Sequence, residues 1–362
     1  MICVDIGSDI TKSAVYEPNS QKKYNAKNIT KINTSFLIHS NGNILHGTNA
    51  DKNLKLSNSQ LYIKDFKSKL GSTQHLILHN QKQLRLSALD ITSKFLKSIR
   101  DDYQKSGCKL SDINSIMLTI PADFTPAQQS ELKKAAELAG FGTVHIIPEA
   151  TAICAYYIDI NPQISKHNNI LTIDWGASSF KLSVITKVPD SQNEYISRFN
   201  KVINSFGGNS FCDELTNKFM NSVNMNNKKL CSDLDLCILL SQNLHQAQQE
   251  LSKTNMVNIK LPSYPNSPIL SAATIKKLID EKSDTIKQEI YHFIEDIHTD
   301  YRPEIALISG GFFVNIPAQQ CISYALQKIE IYKHTRVFSD VIVAGILQYV
   351  HTNYNNGTIK MV

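Results

Sequence analysis

The sequence predicts an α/β fold made of two similar halves, and three observations carry that reading. The segment Ile2-Cys3-Val4-Asp5-Ile6-Gly7-Ser8 returns as Leu171-Thr172-Ile173-Asp174-Trp175-Gly176-Ala177. Asp5 and Asp174, Gly7 and Gly176, Lys12 and Lys181, and Val15 and Val184 are each 169 residues apart, so the two copies stay in register through a turn and into the next strand. Short apolar runs alternate with helical patterns along both halves. Glycine pairs, Gly207-Gly208 and Gly310-Gly311, punctuate the second half where strands end.

Each element follows from local pattern. In both copies a buried strand ends in Asp-x-Gly and a second strand begins with alternating apolar residues, as in Phe180, Leu182 and Val184. A Lys- and Asn-rich stretch to about Asn80 reads as an inserted lobe, with a short strand Ser35-Phe36-Leu37-Ile38 and a turn at Gly42. A helix from Ser87 to about Lys105, ended by Gly107, precedes the strand Ile116 to Ile120. Thr125 caps the next helix, Pro126 suits its first turn, Leu132, Ala135, Ala136 and Ala139 line one face, and Gly140 closes it. A strand from Val144 to Ile147 and a helix from Glu149 follow. The second half places helices at about Asp213–Met220, Leu234–Leu251 and Thr274–Ile297, then the strand Ile305 to Ile308 and a last helix near Ser339–Val350. The tail from His351 is expected to be loose, with no β-rich domain after it. The predicted division is a lobe at 1–165 with an inserted subdomain over about 35–86, and a lobe at 166–362 with one over about 209–285.

Composition narrows the function. At 362 residues and 42% apolar content the chain can bury a large core. The 38 Lys and Arg exceed the 32 Asp and Glu without any block of five or more basic residues, which argues against direct reading of nucleic acid. Seven scattered cysteines, with no Cys-x-x-Cys pair, point to a reducing compartment. The N-terminus enters a strand pattern directly, and no apolar run reaches a membrane-spanning length of about 18 residues, so a cytoplasmic protein is expected and the sequons at Asn28, Asn33 and Asn356 are read as chance.

An Asp-x-Gly turn at the end of a strand suits phosphate binding. Glycine lets the backbone approach phosphate oxygens, small hydroxyls and N–H groups line the turn, and the carboxylate can hold a hydrated Mg²⁺. Alone, such a turn is ordinary. Two of them at matching places in a duplicated chain are expected to face each other as a nucleotide clamp.

The order and spacing of these segments resemble the nucleotide-binding domain of the 70-kDa heat-shock (DnaK-like) chaperone family, from Ile2 to about Val350. Asp5-Ile6-Gly7-Ser8 and Asp174-Trp175-Gly176-Ala177-Ser178-Ser179-Phe180 resemble its two phosphate loops, and Lys67-Ser68-Lys69-Leu70-Gly71 the loop bearing its catalytic lysine. Pro148-Glu149-Ala150-Thr151-Ala152 resembles the start of its catalytic-glutamate helix. Ile120-Pro121-Ala122-Asp123-Phe124 is similar to its coupling segment, and Phe206-Gly207-Gly208 and Leu307-Ile308-Ser309-Gly310-Gly311 fill its remaining glycine turns. The resemblance implies an actin-like ATPase fold of two ribonuclease H-like lobes around a nucleotide cleft, binding ATP or ADP with Mg²⁺. It makes Lys67, Glu149, Asp174 and Ser179 the catalytic set. Asp5, Gly7, Ser8, Asp9, Gly176, Ala177, Ser178, Lys181, Gly207, Gly208, Gln248, Ser252, Gly310, Gly311 and Phe312 become nucleotide contacts, with Asp5 and Asp174 holding the metal through water.

Departures from the family pattern modify that picture. Asp9 stands in place of a hydroxyl and Lys181 in place of an acid, so these two are expected to pair, or Lys181 to stand in for a cation near the phosphates. His245, Gln248 and Gln249 replace a charged set, Phe312-Phe313-Val314 replaces a small hydroxyl pair and an arginine, and Gln129 replaces the arginine of the inter-domain switch. The resemblance thus implies a chaperone partner with weak or absent hydrolysis, similar to the Ssz-type proteins of the ribosome-associated complex. Such a protein acts with a J-domain co-chaperone or another chaperone, at the ribosome. An active stand-alone ATPase, and a filament-forming or kinase member of the actin-like superfamily, are the alternatives.

Overall fold

A strand whose every residue is buried must be covered on both faces, which the apolar runs at the start of each half require. The computed structural model of the chain describes residues 1–17, 29–39, 44–53, 61–72, 77–79, 84–189, 194–224, 240, 243–244, 247, 250–251, 254–259, 269–334 and 340–355. They form two units, Met1–Asn168 with Ile185–Asn200 and Ser339–Val362, and Asn169–Val184 with Lys201–Phe338.

In the first unit β1 (Ile2–Ile6) is buried throughout and lies at the centre of a five-stranded sheet. β2 (Ile10–Val15) pairs with it antiparallel and β3 (Thr30–Asn33) pairs antiparallel with β2. On the other side come β9 (Ser115–Ile120) and β10 (Thr143–Pro148), both parallel. Between β3 and β9 the chain inserts β4 (Ser35–Ile38), β5 (Ile44–His46) and β6 (Leu61–Lys64) as a three-stranded sheet with the short helix α1 (Thr48–Lys52). The hairpin β7 (Ile77–His79) and β8 (Leu84–Leu86) completes the insert.

Helix α2 (Ala88–Lys105) opens with a capping box between Ser87 and Asp90, and α3 (Pro126–Leu138) with one between Thr125 and Gln128. Gly140, at φ 91°, ends the turn after α3 as glycine should. The core beneath these helices joins Ile2, Val4, Phe36, Phe66, Phe95 and Leu132, each fully buried. Burying each side chain of that size contributes roughly 1.5–3 kcal/mol. Helix α4 (Glu149–Ile160) follows β10 without a break.

The later half of the chain repeats the plan. The other five-stranded sheet runs in the order β13 (Tyr195–Ile203), β12 (Phe180–Lys187), β11 (Asn169–Trp175), β16 (Ile305–Ser309), β17 (Tyr332–His334), which matches β3-β2-β1-β9-β10 strand for strand. β11 is parallel to β16 and β16 to β17, as β1 is to β9 and β9 to β10. The duplication read from the sequence is therefore a duplication of topology. Helices α5 (Gly208–Asn224), α6 (Ala272–Glu295) and α7 (Ile316–Lys328) and the hairpin β14 (Met256–Asn258) with β15 (Ile269–Ser271) complete the second unit.

Some boundaries differ from the sequence reading. α5 starts at Gly208 rather than near Asp213, because the glycine pair opens the helix instead of forming a separate turn. α6 starts two residues early because Ser271 caps it through the Thr274 amide. The last helix α8 (Val341–Asn355) belongs to the first unit and runs past His351, where a loose tail was expected. The Tyr16 hydroxyl bonds His351 Nδ1 at 3.2 Å and the Tyr16 ring meets Tyr354 edge-on at 6.0 Å, which holds the extra turn. α8 also packs hard on α4: a Cβ on Gly345 would lie 1.8 Å from the Ala152 carbonyl oxygen. The turn at Gly42 and most of the helix expected over Leu234–Leu251 fall outside the described residues.

Candidate functional site

The first unit carries one Asp-x-Gly turn, between β1 and β2. Asp5, one residue before the end of β1, is 5% exposed, and its Oδ1 accepts a 2.9 Å hydrogen bond from the Thr119 hydroxyl. The parallel register sets Val4 beside Leu118, which brings Thr119 level with Asp5. Thr119 was not legible as a site residue, because its role depends on a strand pairing across more than a hundred residues. At Gly7 a Cβ would sit 2.5 Å from the Ile10 carbonyl oxygen, so only glycine fits this bend. Ser8 is half-buried in the turn, and the Asp9 carboxylate takes Lys64 Nζ at 3.2 Å.

Lys67 comes from a short 3-10 turn, Lys67–Lys69, that sits on the fully buried Phe66 ring. Phe66 meets Phe95 edge-on at 5.2 Å, so α2 anchors the loop. On the other side the Gly71 amide donates to Glu131 Oε2 at 2.7 Å, and Gln128 Nε2 donates to the Ser68 carbonyl at 3.5 Å. α3 thereby clamps the lysine loop at two points. Lys67 itself is 6% exposed; its Nζ lies 3.4 Å from Glu149 Oε1 and 5.5 Å from the Phe124 ring centroid. Glu149 is the first residue of α4, where the helix dipole favours a carboxylate. Two of the four residues that the resemblance makes catalytic, Lys67 and Glu149, are thus brought together. Gln129 bonds back to the Phe124 carbonyl at 3.1 Å, tying it to the start of its own helix.

The second unit carries the matching turn, between β11 and β12. Asp174 is 5% exposed, and the Gly176 amide donates to the Ser179 carbonyl at 3.0 Å to close the bend. The Gly207-Gly208 segment is laid directly across it. The Gly208 amide bonds the Gly176 carbonyl at 3.0 Å and the Asn209 amide bonds the Ala177 carbonyl at 2.7 Å. A Cβ on Gly207 would fall 2.2 Å from the Ser178 carbonyl carbon, so the two backbones touch. Ser178 is half-buried at this crossing while Ser179 is buried.

Gly310 has φ 115°, and a Cβ there would fall 2.3 Å from the Trp175 carbonyl oxygen. Gly311 meets nothing within 4 Å. Phe312, expected as a nucleotide contact, is 5% exposed and packed on Trp175 and Phe211, with ring centroids 4.9 Å from each. Its face is spent on the core of the unit. Gln248 and Ser252, with His245 and Gln249, lie outside the described residues.

Lys181, on β12, reaches Asp174: Nζ lies 3.4 Å from Oδ2, with the side chains 16% and 7% exposed. Both members of the expected Asp9–Lys181 pair have another partner in their own unit, Lys64 and Asp174 respectively. Asp5, with a carboxylate and a neighbouring hydroxyl, suits a hydrated Mg²⁺. Asp174 already faces the Lys181 ammonium. Two unit charges about 4 Å apart repel by about 4 kcal/mol at an effective dielectric near 20, so a further cation placed that close to Lys181 is opposed. Among the described residues no group of three or more His, Cys, Asp or Glu is placed to hold a metal.

A family model described as "Hsp70 protein" matches residues 2–296 of this chain. Similar curated proteins include the chaperone protein DnaK of Mycoplasma mobile, 23% identical over 345 residues, covering 91% of this chain and 54% of that protein. The chaperone protein DnaK of Thermosipho melanesiensis is 27% identical over 269 residues, 72% of this chain and 43% of its own length. The stromal 70 kDa heat shock-related protein of Spinacia oleracea is 26% identical over 251 residues, 65% and 39% of the two chains. The chain spans about half the length of the relatives it matches, 54% and 43% of the first two.

Proposed function

The chain belongs to the Hsp70 protein family and has the family's actin-like ATPase fold, and on that premise we propose that it binds ATP or ADP while hydrolysing ATP weakly or not at all. The observation that carries this reading is the ion pair of Lys181 with Asp174, 3.4 Å apart. An acid that would orient metal and water in the second phosphate turn is instead committed to an ammonium. The binding elements are kept, since Gly7 holds the tight bend of the first Asp-x-Gly turn and Gly207-Gly208 is laid against the second. Backbone N–H groups in such turns suit phosphate oxygens.

A nucleotide site of this kind serves a static role better than a cycling one. The reading therefore makes the protein a cytoplasmic partner in protein folding, acting with a J-domain co-chaperone or another chaperone at the ribosome. Gln129, in the position of the family's switch arginine and tied to Phe124, supports a chain that does not transmit hydrolysis. Among the described residues no helix is long and apolar enough to cross a membrane.

A second reading, an active ATPase, rests on the intact buried pair of Lys67 and Glu149. Isothermal calorimetry with ATP tests the shared premise. Saturable binding tighter than about 1 mM, equivalent to about 4 kcal/mol, supports both readings, and no heat at that concentration removes both. Recovery of a J-domain protein or ribosomes from lysate in an ATP-dependent pull-down supports the partner role, and a pull-down that recovers neither contradicts it.

A further inference from the structure

We propose that Lys181 is the resident counter-ion of the second phosphate turn, so that this protein takes up nucleoside di- or triphosphate without a divalent cation at Asp174. The inference rests on the nucleotide reading above and specifies the form of the ligand. Lys181 extends from β12, half-buried, and its ion pair with Asp174 holds its ammonium beside the turn. Asp174 is one of three candidate-site carboxylates that each have a lysine partner: Asp174 with Lys181, Glu149 with Lys67 and Asp9 with Lys64, at 3.4, 3.4 and 3.2 Å. Each acid is already neutralised by a covalently attached cation.

An anionic ligand reaching the turn at Gly176 meets that ammonium, which binds phosphate as a point charge. A metal ion meets it too, and is repelled. The same residue therefore favours the phosphate and disfavours its usual companion. The mismatch between Mg²⁺ and Asp174 follows directly from one side chain, and so does its reversal.

Calorimetric titration of ADP into the whole chain, in buffer with Mg²⁺ and in buffer with EDTA, tests the proposal. Wild-type affinity is expected to change less than about threefold between the two buffers. In Lys181→Gln it is expected to become metal-dependent by about tenfold or more, which at about 1.4 kcal/mol per decade is a one-decade linkage. Lys181→Arg, which keeps the charge, is expected to behave as wild type. Electron paramagnetic resonance of Mn²⁺ added without nucleotide is a second readout, with more bound ion expected in Lys181→Gln than in wild type. ADP binding by the wild type that requires Mg²⁺ overturns the proposal and leaves the nucleotide reading standing. No ADP binding in either buffer overturns the nucleotide reading itself, and the proposal with it.

Discussion

Lys67 Nζ lies 3.4 Å from Glu149 Oε1, with the side chains only 7% and 8% exposed. Removing one member of such a pair strands a charge away from water, a loss of about 3–5 kcal/mol, whereas replacing both by apolar groups restores much of it. Glu149→Ala is therefore expected to lower the urea midpoint clearly, and Lys67→Met with Glu149→Leu to recover most of the loss. A Glu149→Ala protein as stable as wild type would mean that the pair is not formed in solution.

The Gly310-Gly311 turn offers a contrast within two residues. Gly310 sits at φ 115° with Trp175 backbone in the way of any Cβ, while nothing lies within 4 Å of Gly311. Gly310→Ala is expected to cost at least about 2 kcal/mol, and Gly311→Ala to stay within about 0.5 kcal/mol. Thermal melts of the two variants check this, and equal melting temperatures would refute it.

Trp175, the single tryptophan, is fully buried and its indole N–H donates to the Phe206 carbonyl at 2.5 Å. Its emission should be blue-shifted in the native state and report unfolding of the second unit. Phe312→Ala opens a cavity beside it and is expected to cost about 3–5 kcal/mol, as other buried Phe→Ala changes do. If instead the variant keeps wild-type stability but loses nucleotide, Phe312 is a base contact and not a core residue.

His145 and His46 in the first unit have pKa values held below the usual 6.5, in both cases first by burial, with Lys133 adding to it for His145. His145 Nε2 is buried without a hydrogen-bond partner among the described residues. The unfolded chain binds the extra protons first as pH falls, so stability is present above about pH 6.5 and declines below it. Melting temperature is expected to be lower at about pH 5.5 than at about 7.5, with a smaller drop in His145→Leu. A flat profile would show that the imidazoles are reached by water.

Much of this was legible in the sequence because it is local. The repeat from Asp5 to Asp174, the cap of α3 at Thr125 and the strand at Ile305 are set by neighbouring residues, whereas the helix starts at Gly208 and Ala272 came earlier than expected, the start at Val341 came later, and α7 was not read from the sequence. What the sequence hid is long-range. The Thr119 bond to Asp5 spans 114 residues, the return of α8 to the first unit depends on Gly345 meeting Ala152, and Phe312 could not be separated from an adenine shelf until its neighbours Trp175 and Phe211 were placed. Lys181 stood out as a departure from family pattern, but its pairing with Asp174 became visible only once the strands were placed.

Steady-state ATP turnover by the purified chain, beside Glu149→Ala, bears most directly on the central claim that nucleotide is held and not cycled. The expected rate is below about 10⁻² s⁻¹, a barrier above about 20 kcal/mol, and indistinguishable from the variant. Turnover at or above that rate, abolished in Glu149→Ala, would contradict the claim and make the protein a working ATPase.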